Sequence, residues 1–150
     1  MLKYLTINGQ KKIQEELAYL TKSKRFEISE KLKFATDLRD LRENSEYDAA
    51  CEYYLLMENR IYELEKILNE SVIYQRKNDG RIEIGSKVDL KIDDEIERYE
   101  IVGYGETDIH NNKILYTSPL AEALLKKTVN DIVTVSNEYT TYDAQIISIE

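Results

Sequence analysis

Five carboxylate side chains fall within twelve consecutive residues of the first half of the chain. They are Asp37, Asp40, Glu43, Glu46 and Asp48. Asp40 and Glu43 are three residues apart, and on a helical turn this spacing places both side chains on one side. Two carboxylates on an exposed projection can hold a hard cation such as Mg²⁺ while the ion keeps several of its waters. The spacing therefore indicates metal binding, beside the plainer interpretation that these acids cap a helix and are solvated.

Basic side chains cluster just before and within the same region. They are Lys22, Lys24, Arg25, Lys31, Lys33, Arg39 and Arg42. Two interpretations are open from the residues alone: the solvated face of a coiled coil, or a strip that follows a nucleic-acid strand. The net charge of −8 comes from residues 78–150, which hold 7 basic and 15 acidic side chains. This distribution is not that of a protein that binds duplex DNA along one basic stripe.

The elements that must position these residues are two long helices. Tyr47, Ala50, Tyr54, Met57, Ile61, Leu64 and Leu68 alternate spacings of 3 and 4, which is a heptad seam. An earlier helix carries the shorter series Ile13, Leu17, Leu20 and Ile28, Leu32, Ala35, joined by an 11-residue step. Such a step relaxes supercoiling, so the helix should be nearly straight there. We expect helices over residues 8–38 and 45–75, capped by Thr6 and Asn44, in an antiparallel hairpin with the acids at its tip.

The second half of the chain has the two-residue period of short strands. The strand candidates are Ile82/Ile84, Val88/Leu90/Ile92, Tyr99/Ile101, Ile114/Tyr116, Val133/Val135 and Ala144 to Ile149. One helix is predicted over Leu120–Lys127, because Ser118 is a good N-cap and Pro119 suits the first helical position. The acidic run 93–95 should form a loop between strands. We predict an α+β protein: a hairpin domain over residues 1–77 and a small, mostly antiparallel β domain over 78–150.

Composition excludes several classes of protein. There is no apolar run of 18 residues, so no membrane span is predicted, and the first residues lack the apolar core of an export signal. Cys51 and His110 are the only residues of their types, too few for a disulfide or a structural zinc site. His110 lies in a polar stretch that does not suit a catalytic triad. The expected location is a reducing cytoplasm, and a hairpin tip without walls needs a partner to complete any active site.

The residues at the tip resemble a known family. Residues 40–47 read Asp-Leu-Arg-Glu-Asn-Ser-Glu-Tyr, which is similar to the tip motif of the bacterial Gre transcript cleavage factors. The similarity continues through residues 5–9, the second helix and residues 101–103. Residues 118–121, Ser-Pro-Leu-Ala, resemble a second signature of the same family. The two motifs at this separation are specific, and the resemblance spans nearly the whole chain.

The resemblance implies a helical hairpin followed by an FKBP-like domain, and a function on bacterial RNA polymerase. The hairpin would enter the polymerase secondary channel and stimulate Mg²⁺-dependent cleavage of backtracked nascent RNA at its 3′ end. Asp40 and Glu43 would be donated to the polymerase active centre and would hold Mg²⁺ only in that complex. By itself the chain would bind no cofactor and would be no enzyme; it would be a cytoplasmic monomer without membrane contact, with DNA near the elongation complex as a further neighbour.

The resemblance also assigns roles to other residues. The supporting residues at the tip would be Asn44, Glu46 and Tyr47. The basic residues near the RNA would be Lys31, Lys33, Arg39 and Arg42. The residues that dock on the polymerase would be Ser118, Pro119 and Leu120. The concentration of basic charge between residues 22 and 42 favours the GreA type within the family over the GreB type.

Four positions depart from the family pattern. Arg39 stands where the family often has Gly, and Phe26 where it often has Pro; Lys126 and Asn130 also stand at usual Gly positions. Two alternative functions remain: an antagonist of the same fold that blocks the channel without cleavage, and a coiled-coil adaptor whose tip acids do nothing. No prolyl isomerase activity is predicted, because both Phe residues lie in the hairpin and there is no Trp to wall a pocket.

Overall fold

The computed structural model describes residues 3–37 and 45–150. These residues form two compact units. The helical unit consists of the described residues of Gln10–Ser71, and the sheet unit consists of those up to Gly9 together with Val72–Glu150. The sequence placed the boundary at residue 77, whereas the structure assigns the first residues to the sheet unit, because the strand Lys3–Leu5 (β1) pairs with a strand that follows the hairpin.

The helical unit contains two antiparallel rods. One rod consists of α1 (Ile7–Tyr19, of which residues 7–9 belong to the sheet unit), a π-helical turn (Leu20–Lys24) and α2 (Arg25–Thr36). The other rod is α3 (Ser45–Glu70). Arg25 at the start of α2 pairs with Glu58, whereas Lys31, one and a half turns later, lies over the ring of Tyr53. Residue numbers therefore increase along α2 in the direction in which they decrease along α3. This confirms the predicted antiparallel hairpin.

The start of α1 also follows the sequence prediction. The Oγ1 atom of Thr6 accepts a hydrogen bond from the backbone N–H of Gly9 at 3.0 Å. This bond satisfies one of the donors that a helix leaves free at its N-terminus. Thr6 is thus confirmed as the N-cap.

The first helix is not the unbroken element predicted over residues 8–38. The N–H of Arg25 bonds to the carbonyl of Leu20, five residues earlier, within the π-helical turn. The Thr21 hydroxyl donates to the carbonyl of Leu17 at 2.8 Å, so it competes for a helical acceptor. This turn lies inside the 11-residue step between Leu17 and Ile28. The extra residue of a π turn re-phases the side chains that follow it.

The second helix ends earlier than the predicted residue 75. α3 stops at Glu70, and Ser71–Ile73 forms strand β2 beside β1, Lys3–Leu5. The N–H of Tyr74 then donates to the carbonyl of Leu5 at 2.8 Å. The β-branched side chains at positions 72 and 73 suit a strand, and the helical period of the seam has ended there. A partner strand about 70 residues away in sequence decides this boundary.

The sheet unit contains a second sheet of five strands. They are β3 (Lys87–Ile92), β4 (Glu95–Val102), β5 (Lys113–Leu115), β6 (Ile132–Ser136) and β7 (Thr141–Ile149), in the order β5-β4-β3-β7-β6. Only β4 and β5 are parallel, so the prediction of a mostly antiparallel sheet is confirmed. Asp93 and Asp94 turn the chain between β3 and β4 with φ of 50° and 64°, as the acidic loop predicted.

One apolar core holds the sheet unit together. Eleven residues from the strands, the 82–84 segment and the helix Pro119–Leu124 (α4) are buried in it. They are Ile82, Ile84, Val88, Leu90, Ile101, Ala121, Leu124, Val133, Val135, Ala144 and Ile146. Residues far apart in the chain therefore share one interior. The alternating apolar residues of the sequence identified most of this set.

Helix α4 is shorter than predicted and the first predicted strand is absent. α4 covers Pro119–Leu124, and Lys126 then takes a left-handed φ of 70°. The N–H of Lys126 donates to the carbonyl of Ile82, and the N–H of Ile82 donates to the carbonyl of Lys127. Ile82 and Ile84 are thus held by the end of the α4 segment instead of a strand. The left-handed φ of Lys126 and Asn130 agrees with the Gly expected there in the family.

A half-buried contact fixes the chain at the start of α1. The Thr6 hydroxyl donates to Oε2 of Glu106, which also accepts the N–H of Gly103 at 3.3 Å. A Cβ at Gly9 would lie 2.8 Å from that same oxygen, and a Cβ at Gly103 would lie 2.9 Å from the backbone N of Thr6. Gly103 is therefore required by the close approach of backbone, whereas a Cβ at Gly9 would have to displace the Glu106 side chain. Glu106 joins the loop after β4 to the helix start.

Candidate functional site

The predicted carboxylate pair belongs to the segment that joins α2 to α3 along the chain. α2 ends at Thr36 and α3 begins at Ser45. Asp40 and Glu43 fall between these ends and lie outside the described residues. The same is true of Arg39, Arg42 and Asn44. The geometry of the pair therefore stays a prediction, and the structure supplies the helices on either side of it.

Two predicted supporting residues lie in the first turn of α3. Glu46 is exposed there, where a carboxylate interacts favourably with the helix dipole. Tyr47 is half-buried, and a side-chain hydrogen bond with Cys51, one turn later, raises the pKa of the Tyr47 phenol above its usual range. An unshifted tyrosine phenol is already neutral at physiological pH, and the shift favours the same state. Tyr47 therefore presents an uncharged group at the start of α3.

The two described lysines that were predicted to lie near RNA occupy different sides of α2. They are two residues apart, which is a rotation of about 200° around a helix. Lys31 pairs with Glu27 at 3.5 Å and lies 5.9 Å from the ring centre of Tyr53. Lys33 is exposed. These two residues therefore do not form one strip, and the charge of Lys31 is partly neutralised by Glu27.

A narrow apolar seam holds α2 against α3. Ile28, Met57 and Ile61 are buried together, with Leu17, Leu20 and Leu32 packed against them. Nearer the predicted tip, Ala35 and Ala50 are also buried. Such small side chains permit two helices to approach closely, and larger ones there would force strain. The seam follows the predicted heptad positions except at Tyr54, whose side chain is exposed.

Two ion pairs connect the helices outside the seam. Arg25 donates to both carboxylate oxygens of Glu58, at 3.0 and 3.1 Å. Arg60 donates to both oxygens of Glu16, at 2.8 and 3.1 Å. Two parallel bonds fix the orientation of each pair, although exposed pairs contribute little free energy. They help to fix the register of one helix on the other.

The sequence missed a groove between α2 and α3. It has a volume of about 640 Å³, and its lining includes Phe26, Glu30, Lys31, Phe34, Glu46 and Tyr53. Phe26 and Phe34 are eight residues apart and lie off the heptad seam. That spacing places both side chains on one face of α2, and it is the sequence feature that could have predicted the groove. Their aromatic rings are exposed in the structure.

The predicted docking residues start helix α4. Ser118 Oγ accepts the N–H of Ala121 at 3.4 Å, and Pro119 occupies the first helical turn. This confirms the predicted N-cap. Leu120 is half-buried against the core, and Pro119 is exposed. Only Pro119 among the three presents a largely free side chain, and docking itself stays a prediction.

Neither an enclosed metal centre nor a membrane span is found in the described part of the chain. Across residues 3–37 and 45–150, no three His, Cys, Asp or Glu side chains are grouped so that they could hold a metal ion. In those same ranges, no helix combines the length and apolar character needed to cross a membrane.

Two family profiles match the chain over nearly its whole length. A profile described as the N-terminal domain of transcription elongation factors GreA and GreB matches residues 3–73. A profile described as the C-terminal domain of the GreA/GreB transcription elongation factors matches residues 77–150. Together they cover both units.

Individual relatives agree with the profiles. Transcription elongation factor GreA of Shouchella clausii is 42% identical over 150 residues, which covers 97% of this chain and 95% of the relative. GreA of Clostridium acetobutylicum is 45% identical over 138 residues, covering 88% of this chain and 86% of the relative. Among solved structures, the GreA factor homolog Gfh1 of Thermus thermophilus is 24% identical and covers 100% of this chain and 99% of its own, with a TM-score of 0.43.

Proposed function

Because this chain belongs to the GreA/GreB family of transcription elongation factors, we propose that it stimulates RNA polymerase to cleave backtracked nascent RNA. The family membership confirms the resemblance inferred from the tip motif, and the relatives named GreA agree with the predicted GreA type. In this proposal the helical hairpin enters the secondary channel and the polymerase regains a usable RNA 3′ end. Arrested complexes are thereby rescued. A factor that acts on a transcribing bacterial polymerase would function in the cytoplasm, so the proposal includes this location.

The observation that carries the proposal is the pairing of α2 with α3 on either side of the motif at residues 40–47. The two helices are held by a buried seam and by two cross-helix ion pairs. A rod of this kind delivers a group more accurately than a flexible loop. Accuracy matters, because a misplacement of about 1 Å can cost about 100-fold in rate.

The proposed chemistry assigns the reaction to two molecules. Asp40 and Glu43 would supply carboxylate oxygens, the donors that Mg²⁺ prefers, within the polymerase active centre. Mg²⁺ bound there would supply positive charge that stabilises the negative charge developing as water cleaves the phosphodiester. The two carboxylates would also orient the attacking water. The chain donates these groups and does not by itself form the active site.

The remaining assignments are also part of the proposal. Asn44, Glu46 and Tyr47 would hold the tip segment on the start of α3. Lys33, Arg39 and Arg42 would lie toward the RNA, with Lys31 less available because Glu27 pairs with it. The α4 start, with Ser118, Pro119 and Leu120, would dock at the rim of the polymerase channel, near DNA of the elongation complex.

The test is RNA cleavage in a backtracked elongation complex with polymerase from the same source and Mg²⁺. The parent chain should stimulate cleavage. The variant Asp40→Asn/Glu43→Gln should lower the rate by about 100-fold, because both carboxylate charges are lost at the reacting centre. Affinity for the polymerase, measured in parallel, should change little. Release of a shortened RNA with a new 3′ hydroxyl identifies the product.

A matched control removes the same charge from the same hairpin. Glu52→Gln/Glu65→Gln neutralises two exposed carboxylates of α3 and should leave the cleavage rate within about twofold. Binding of the parent chain without any cleavage would contradict the proposal and favour the antagonist. Full cleavage by the Asp40/Glu43 variant would show that the tip carboxylates are not donated.

A further inference from the structure

The groove between α2 and α3 exposes more aromatic surface than the seam beside it requires. Phe26, Phe34 and Tyr53 are 67%, 63% and 57% exposed. They lie around the small side chains of Ala49 and Ala50, in a space of about 640 Å³. Apolar surface left in water is unfavourable by roughly 25 cal/mol per Å². A concave aromatic patch of this kind is typical of a binding surface.

The charge of the groove is negative. Its described lining contains three carboxylates, of Glu27, Glu30 and Glu46, and one ammonium, of Lys31. Glu27 pairs with Lys31 at 3.5 Å and with Lys24 at 3.6 Å. Within the described residues, Glu30 and Glu46 form no ion pair. Two carboxylates beside the rings are therefore available to a positively charged group.

The combination of rings and carboxylates decides between two kinds of occupant. Aromatic rings can stack on the bases of single-stranded RNA, but each nucleotide also brings a phosphate that the carboxylates repel. An arginine guanidinium or a lysine ammonium is attracted both by an aromatic face and by a carboxylate. The Nζ atom of Lys31 already lies 5.9 Å from the ring centre of Tyr53, so this ring accepts a cation.

We propose that this groove binds a protein segment of RNA polymerase that presents an arginine or lysine next to an apolar side chain. The proposal rests on the proposed function for the identity of the partner. The apolar side chain fills the space between Phe26, Phe34 and Tyr53, and the cation pairs with Glu30 and Glu46. This contact gives the hairpin a specific binding site on the polymerase protein, separate from the tip carboxylates and from any contact with RNA.

The first test is binding of the full chain to core RNA polymerase that carries no nucleic acid. Phe34→Ala and Tyr53→Ala should each raise the dissociation constant by about tenfold, as for a buried aromatic anchor at an interface. Tyr62→Ala is the matched control, because Tyr62 is a 67% exposed tyrosine of α3 outside the groove lining. It should change the dissociation constant by less than about twofold. Circular dichroism checks that each variant keeps its helix content.

A charge reversal separates protein from RNA as the occupant. Glu30→Lys should weaken binding to core polymerase by about tenfold if the partner presents a cation. It should tighten binding to the complete elongation complex if the partner is RNA. Glu65→Lys makes the same change of net charge on an exposed position of α3 outside the groove. Both variants therefore share the same general electrostatic attraction, and their difference reports on the groove.

Each result either supports or overturns the inference. Weaker core binding by the Phe34, Tyr53 and Glu30 variants, with unchanged controls, supports it even if the parent chain fails to stimulate cleavage. Parent-like binding by all variants, in a chain that does stimulate cleavage, overturns it while the proposed function stands. Tighter binding of Glu30→Lys in the presence of RNA, or a dimer of the chain that Phe34→Ala dissociates, overturns it in favour of RNA or a second copy. No binding of the parent chain overturns both proposals.

Discussion

The helical unit and the sheet unit bury their apolar side chains in different ways. In the helical unit, the cluster at the seam consists of Ile28, Met57 and Ile61 with three half-buried leucines. In the sheet unit, eleven residues from four strands, α4 and the 82–84 segment form one interior. The seam is one side chain thick, so most positions on α2 and α3 face water. The sheet unit instead has an interior with neighbours on all sides.

This difference separates function from stability along the chain. Exposed positions on a two-helix rod can change without opening a cavity, so charges and aromatic rings there are free to serve binding. Phe34 and Tyr53 illustrate this freedom, because they lie off the seam and are exposed. In the sheet unit, a substitution at Leu90 would disturb the packing of core residues from several strands. The two regions should therefore respond very differently to substitution.

The largest effect should come from a cavity in the sheet core. Leu90 is fully buried, so Leu90→Ala should cost about 3 kcal/mol of unfolding free energy in the sheet unit. Hydrogen exchange should show faster exchange of amides in β3, β4 and β7, with α3 amides unchanged. Ile96→Ala, at an exposed position of β4, should cost less than about 0.5 kcal/mol. Equal loss of protection in α3 would mean that both regions unfold as one cooperative unit.

A smaller effect is expected from overfilling the seam. Ala50 is buried between the helices, so Ala50→Leu should destabilise the helical unit by about 1–3 kcal/mol. Ala18→Leu, at an exposed position of α1 outside the groove, adds the same atoms to the surface and should change stability by less than about 0.5 kcal/mol. Urea unfolding followed by helical circular dichroism measures both. Equal effects of the two substitutions would contradict a one-sided seam.

The smallest effect concerns the cross-helix ion pairs. A double-mutant cycle with Arg25→Ala and Glu58→Ala should give a coupling free energy of about 0.2–1 kcal/mol, because both side chains are solvated. The coupling should fall further when salt is raised, since exposed charges are screened. A value above about 2 kcal/mol would mean that ion pairs, more than the apolar seam, hold the rod together.

Sequence patterns predicted the elements whose cause is local. The heptad spacing identified the seam of α2 and α3, and Thr6 and Ser118 were correctly predicted as N-caps, because a cap depends on a hydroxyl and an N–H three residues away. The alternating apolar residues identified the five strands of the larger sheet. They also predicted a strand at Ile82, where the structure has none. The tip motif and the residues around it indicated the family, which the profiles confirm.

The candidate site was predictable only in part. Its motif was evident from residues 40–47, and Tyr47 was correctly placed at the start of the second helix. The sequence grouped Lys31 with Lys33, whereas the structure places them on different sides of α2 and pairs Lys31 with Glu27. Such a pairing depends on side-chain conformation, and the residue types alone do not specify it. The aromatic groove was missed for a similar reason, since it exists only where two helices face each other.

The amino-acid sequence by itself determined the spacing of apolar residues in each half of the chain, the helix starts and the family. These features depend on neighbouring residues or on matching residue types. Tertiary structure alone decided where α3 stops, how the chain divides into units and which rings line the groove. The end of α3 at Glu70 shows the reason: β2 forms because β1 is available to it, and the bond from Tyr74 to Leu5 joins residues 69 positions apart. No local pattern encodes a partner at that separation, since it arises only when the folded chain brings the two strands together.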